Sequence, residues 1–310
     1  MTIAVNAANA PPAPFFYGGQ AVIEGVLMRG PRHFAVAARR PDGSITVLSE
    51  PLRSRVYTSS VWRQPFLRGV AGLYEMLNLG MRALSWSANV QLGEQAQISR
   101  KTMRSTIAGS VVFGLLLFLG IPLLLARAVR GGDSARSVRQ ILLEGVIRAV
   151  VLLTYLFLIG RVSNVARVFA YHGAEHKAIN ALEAGLPSDV ASVRGSSRLH
   201  PRCGTGFIVV VAFVSIVVFA PLGTLPVVLR LLIQILLVPV VAGISYEAIR
   251  GLARIRHTAA GRTALVPILA AQRLTTREPD DSQIEVAIAA LDAARMGDTI
   301  VGEQHDPLII

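Results

Sequence analysis

Three periods of apolar and polar residues succeed one another along this chain. Residues 20–50 alternate: the runs GQAVIEGVLM, HFAVAARR and SITVLSE place apolar side chains on every second position, the strand period, and Pro41-Asp42-Gly43 marks a turn between the last two. From Pro65 to Asn89 the period becomes helical, with Arg68, Glu75 and Arg82 seven residues apart on one narrow polar stripe. Such a helix suits either a membrane interface or a packed position on protein with one wet edge. Beyond it the apolar residues run on almost without interruption.

Residues 107–129 (IAGSVVFGLLLFLGIPLLLARAV) hold no charge before Arg127, and similar runs follow at 141–160, 204–221 and 225–246. At about 1.5 Å per residue, roughly 20 residues cross the hydrocarbon core of a bilayer, about 30 Å thick. Only Leu222-Gly223-Thr224 separates the third and fourth runs, which predicts a tight hairpin; the third run is short enough to be re-entrant instead. Residues 263–274 then read as a helix, Thr275-Thr276-Arg277-Glu278-Pro279 as a break, and Asp281 as the cap of a last helix, SQIEVAIAALDAAR. The expected fold is a mainly α integral membrane protein with about four transmembrane helices, a small N-terminal β unit and cytoplasmic helical segments. Its expected divisions are a disordered leader (1–14) without the basic start and apolar core of a signal peptide, the β unit (15–60), an amphipathic helical region (61–104), the transmembrane region (105–250) with an intervening loop at 161–203, and a helical tail (251–310).

Composition supports that reading. Of 310 residues, 52% are hydrophobic and 16% charged, with a mean hydropathy of +0.52. Soluble domains carry about 25% charged residues, so an ordinary soluble enzyme is excluded, and the apolar mass excludes a disordered chain. The single Cys, Cys203, excludes an internal disulfide framework. Lys and Arg number 31 against 19 Asp and Glu, a net charge of +12 that fits nucleic acid or an anionic membrane surface until the charges are placed. Basic residues gather before the first run, through 161–203 and after the fourth run, whereas Arg127, Arg130, Arg136 and Arg139 occupy the loop on the opposite side. This bias predicts cytoplasmic N- and C-termini and a cytoplasmic 161–203 loop. The bilayer, with anionic headgroups at its cytoplasmic face, accounts for the basic clusters as a partner; nucleic acid is excluded and protein partners are left open.

Candidate chemistry lies in that loop. In His172-Gly173-Ala174-Glu175-His176 the two imidazoles stand at i and i+4, on one face of a helix, and Glu175 is beside them. H-x-x-E-H is the inverted zinc-hydrolase pattern, with two His on Zn²⁺ and the Glu as general base. A solvated helix face with two His at helical spacing is the plainer alternative. His200-Pro201-Arg202-Cys203-Gly204 adds a His and the Cys at a ligand-like spacing in a turn. If His172, His176, His200 and Cys203 all bind, the zinc is closed and structural; if three bind, a water takes the fourth position and Glu175 acts on it. Mixed N and S donors favour Zn²⁺. Glu24, a carboxylate in the first apolar run, is a further candidate ligand or supporting partner, or simply an outward-facing strand residue. Glu144 and Arg148 in the second run, and Arg230 in the fourth, stand at similar depth, so a structural Glu144–Arg230 bridge is expected ahead of an ion path.

Four strings carry a resemblance. Tyr17-Gly18-Gly19-Gln20-Ala21-Val22-Ile23-Glu24-Gly25-Val26, HGAEHK at 172–177, HPRCGT at 200–205 and LTTREPD at 274–280 resemble, in order, the YqhQ-like bacterial membrane proteins. That family has no known function and is described as predicted metal-dependent enzymes. The likeness runs from about Tyr17 to Leu291; Gly206 stands where the family more often has Ser. It implies a place in the bacterial inner membrane and a metal site, and no substrate. Two functions follow as expectations. One is a zinc-dependent hydrolase at the cytoplasmic face, with His172 and His176 on the metal, Glu175 as base and His200 or Cys203 completing the site. The other is a non-enzymatic membrane scaffold or partner-binding protein with a structural metal or none.

Overall fold

The alternating region forms a four-stranded antiparallel meander: β1 (Gly18–Val22), β2 (Gly25–Arg29), β3 (His33–Arg39) and β4 (Ile45–Pro51), in that order across the sheet. The computed structural model describes residues 17–52, 61–93, 99–129, 138–255 and 258–300. The expected leader and Arg130, Arg136 and Arg256 lie outside the described residues. GQAVIEGVLM is not one strand, because Ile23-Glu24 folds it into a hairpin with Val22 opposite Gly25. Glu24 takes the left-handed conformation at φ 49°, and its carbonyl accepts the Arg39 N–H at 2.8 Å. The turn before β4 is held by Asp42, whose Oδ1 accepts the Ser44 N–H at 2.9 Å, with Gly43 at φ 87°.

Both faces of this sheet are covered. Val26, Met28, Ala35 and Ala37 point to one core; Val22, Leu27, Phe34 and Val36 point to another. The second core is closed by α1 (Leu67–Leu92) through Leu79 and Ala83. The polar stripe of α1 runs from a half-buried Arg68 through a buried Glu75 to an exposed Arg82, so it borders the packed face and keeps one wet end. Arg68 donates to Glu247 at 2.8 Å, Arg82 pairs with Glu50 at 2.7 Å, and Glu75 is buried. Of the two readings of this amphipathic helix, the one with the helix packed on protein therefore describes these residues.

Apolar character then lengthens the helices. α2 (Arg100–Leu115) is capped by Ser99, whose Oγ accepts the Thr102 N–H at 3.1 Å. It continues through a π-helical turn at Leu116–Gly120 into α3 (Ile121–Val129). Pro122 explains the wide turn, since its ring offers no N–H and crowds the carbonyl four residues back. α4 (Val138–Ile159) is followed, at 99°, by α5 (Ser163–Glu183), which turns away to lie on the sheet. The short α6 (Val190–Arg194) precedes α7 (Gly204–Phe219). The fourth apolar run is not one straight helix: α8 (Val227–Leu236) and α9 (Val238–Ile255) meet at 46°, where Pro239 removes a helical hydrogen bond. Two helical stretches, Lys101–Ala126 and Gly204–Leu222, are long and apolar enough to cross a membrane, and up to four are if each bent pair counts as one. Their outer sides leave Phe113, Leu116, Val217 and Leu232 more than half exposed, an arrangement suited to lipid rather than water.

Two helices close the chain. α10 (Ala259–Thr275) packs on α7, and α11 (Asp281–Ile300) lies across β2, β3 and β4. Ile284, Ala287, Leu291 and Ala294, at helical spacing, fill the first core. Asp298 secures the far end of α11 by accepting the Arg32 N–H at 2.9 Å, the His33 N–H at 2.8 Å and the Tyr17 hydroxyl at 2.9 Å. The last described helix is thus a layer of the sheet region.

Candidate metal centre

α5 is clamped between β1, β2 and α11, and its residues Ala170, Tyr171 and Gly173–Ile179 are buried. Helical spacing stacks His172 and His176 one turn apart, with ring centroids 4.4 Å from each other. Cys203 arrives from the turn before α7, where it stands at the N-cap with Sγ accepting the Thr205 N–H at 3.4 Å. Its Sγ lies 3.1 Å from His172 Nε2, and one ligand atom each of His172, His176 and Cys203 falls within 4.8 Å of the others.

Backbone carbonyls set the imidazole tautomers. His172 Nδ1 is 2.9 Å from the Thr275 carbonyl and His176 Nδ1 is 2.6 Å from the Arg198 carbonyl. A carbonyl only accepts, so each Nδ1 carries the hydrogen and each Nε2 of the neutral ring presents a lone pair. This is how metal-binding histidines are held. Burial lowers the pKa of His176, which keeps that ring in the neutral form. Two Nε2 lone pairs and a thiol sulfur thus converge as a donor set that suits a borderline-soft divalent ion such as Zn²⁺.

Glu175 stands over them. Its Oε2 is 3.6 Å from His176 Nε2 and 3.9 Å from His172 Nε2, and the residue is 4% exposed. Burial raises its pKa above the usual carboxylate range, while His172, His200 and the Gly19 N–H pull it back. β1 backs this carboxylate closely: a Cβ on Gly19 would lie 2.7 Å from Glu175 Cγ.

His200 is not gathered into the group of three. Its backbone is gripped by Gln272, which accepts the His200 N–H at 3.0 Å and donates to its carbonyl at 2.7 Å. That grip turns its Nε2 toward Glu183, 3.6 Å away and also bound by Arg202, and leaves its ring 5.7 Å from the His176 ring. Glu24 stands in a turn, not on a strand. Its carboxylate takes the Arg167 guanidinium at 2.6 Å and the Tyr171 hydroxyl at 3.2 Å, and the Arg167 hydrogen bond holds its pKa low. It fastens the β1–β2 turn to α5 one residue before His172. Glu144 and Arg230 are brought together in a buried ion pair, joined by Arg148 at 3.2 Å from Glu144. They lie near the start of α4 and within α8, whereas α4 reaches the candidate centre by its other end.

The residues that spacing did not single out are Thr275 and Arg198, whose carbonyls aim the two donor imidazoles, Gln272, which turns His200 aside, and Gly19, which backs Glu175. The LTTREPD string, whose middle reads in the sequence as a break between helices, supplies the carbonyl on His172, and Glu278 pairs with Lys177 at 2.6 Å. Gly173 makes that approach possible. A Cβ there would collide with the Arg277 carbonyl oxygen, on a segment whose N–H is tied to the Phe169 carbonyl at 2.9 Å. Gly173→Ala should therefore destabilise the fold by about 1–3 kcal/mol through overpacking. Thermal unfolding of the purified variant checks this, and an unchanged midpoint would refute it.

Comparison with known proteins places the chain among uncharacterised ones. Residues 64–296 match the family described as "Protein of unknown function (DUF1385)". Over 298 residues the chain is 36% identical to the "Uncharacterized protein YqhQ" of Bacillus subtilis (strain 168), covering 92% of each. No solved structure matches.

Proposed function

The chain belongs to the DUF1385 family of proteins of unknown function, and on that premise we propose that it is a multi-pass inner-membrane protein working as a zinc-dependent hydrolase at the cytoplasmic face. One observation carries the reading: two Nε2 lone pairs and a thiol converge within 4.8 Å, with a buried carboxylate 3.6 Å and 3.9 Å from the two nitrogens. His172, His176 and Cys203 would hold the ion, which when bound supplies an acid that lowers the pKa of water. Three protein donors rather than four are the complement of a catalytic rather than a structural zinc site, and would leave room for a water. Glu175 takes the proton from the attacking water and is kept in place by the Gly19 N–H. His200, turned to Glu183, is a neighbour of the site and not a ligand. The location follows from the apolar helices and from the basic residues around them.

Glu175→Gln separates catalysis from structure. The variant should retain wild-type metal content by elemental analysis, since no ligand is lost. Hydrolysis of ester, amide or phosphodiester probes by the detergent-solubilised protein should fall by about 10²-fold or more. A variant as active as wild type would remove the hydrolase reading, and wild-type protein without stoichiometric metal would remove the zinc.

A further inference from the structure

We propose that the polar cluster buried between α4, α7 and α8 is a binding site for a phosphate oxyanion, supplied by a lipid headgroup or by free phosphate. It rests on the membrane-spanning part of the proposed function and is independent of the metal centre. Two features of the cluster carry it.

The first is charge. Two guanidiniums, Arg148 and Arg230, face one carboxylate, Glu144, and all three side chains are 5–8% exposed. Among the described residues the cluster therefore holds one positive charge in excess, and a buried charge is normally paired or neutralised. Among the described residues no other carboxylate pairs with either arginine. Arg148 instead donates to Ser215 Oγ at 3.1 Å and lies 5.0 Å over the Phe219 ring.

The second is unmet hydrogen bonding. Arg148 Nε, Arg230 Nε and both amide atoms of Gln234 are buried without a partner. Gln234 is fully buried, one helical turn after Arg230, on the face of α8 opposite the exposed Val228, Leu232 and Leu236. Its amide thus lies on the side of the cluster. Three donors and one acceptor go unmet beside surplus positive charge, so the missing partner is negative and rich in acceptors. A phosphate oxyanion is both, and the planar guanidinium fork suits it. The depth agrees: Glu144 stands less than two turns inside the start of α4, and Ser215 one turn before the end of α7. A headgroup phosphate at that end of the bundle can reach it.

The test uses full-length protein. In nanodiscs of phosphatidylcholine, adding phosphatidylglycerol should raise the thermal midpoint if a lipid is the source. In neutral detergent, inorganic phosphate at constant ionic strength should raise it if the free ion is. Gln234→Leu leaves every charge in place and should weaken the apparent affinity about tenfold, the loss of one hydrogen bond to a charged group. Gln234→Glu places a carboxylate where the oxyanion would sit and should abolish the anion-dependent rise. No rise in either arm overturns the proposal. So does a rise that survives both substitutions, because the anion then binds elsewhere. Recovery of the chain from cell membranes only with detergent tests the membrane reading separately.

Discussion

Replacing His176 by Ala should strip zinc from the proposed centre, whereas replacing His200 by Ala should leave it bound. The contrast follows from where the two rings point. One ring nitrogen of His176 belongs to the group within 4.8 Å, and Nδ1 is committed to the Arg198 carbonyl, so Nε2 is the donor that the variant loses. Disturbing a partner that only orients a ligand weakens metal binding by 10–100-fold, and losing the ligand itself should weaken it by more than about 100-fold. His200 faces Glu183, so His200→Ala should cost some stability and no stoichiometry. Equilibrium dialysis against zinc, followed by elemental analysis, reads both variants. Cobalt in place of zinc adds a second readout: a thiolate-to-cobalt charge-transfer band that Cys203→Ser removes. If His200→Ala lost the metal as completely as His176→Ala, the centre would have four protein ligands and be closed, and the catalytic reading would fail with it.

Much of this centre is legible in the sequence, because helical spacing alone puts His172, Glu175 and His176 on one surface of α5. The division between ligand and neighbour is not. Whether His200 or Cys203 joins them depends on how the turn before α7 is rotated, and that is set by Gln272, a residue 72 positions away. No local pattern carries such a contact. Glu24 was misplaced for a different reason. An unbroken apolar run reads as one strand, and the hairpin inside it rests on a left-handed Glu24 that spacing does not reveal. The stripe on α1 shows the same limit: periodicity finds Arg68, Glu75 and Arg82 on one face, but not that Glu247 and Glu50 are the carboxylates that pair with its two arginines. Apolar run length finds the candidate spans, while Pro122 and Pro239 decide where they widen or bend. At the metal centre and on the α1 stripe local physics names the residues and a partner distant in sequence decides what they do; at Glu24, Pro122 and Pro239 a single local residue overrides the period around it.

Glu144→Gln should destabilise the protein by about 3–5 kcal/mol, the range for breaking a buried ion pair by removing one partner. The structure makes this carboxylate the more sensitive member. Among the described residues Glu144 is the one carboxylate that pairs with Arg148 and Arg230, so removing its charge leaves two buried guanidiniums with no negative partner among those residues. Arg230→Gln leaves Glu144 paired with Arg148 at 3.2 Å and should destabilise less. The expected ordering is therefore Glu144→Gln well below Arg230→Gln, with thermal or denaturant unfolding of detergent-solubilised protein as the measurement. Glu144→Arg alone should be worse still, with three positive charges in one buried space. Combining it with Arg230→Glu restores one carboxylate among two guanidiniums, and should recover most of the loss. If the double variant were no better than Glu144→Arg alone, the pairing seen between α4 and α8 would not be what holds them, and the tolerance of excess charge would need another source.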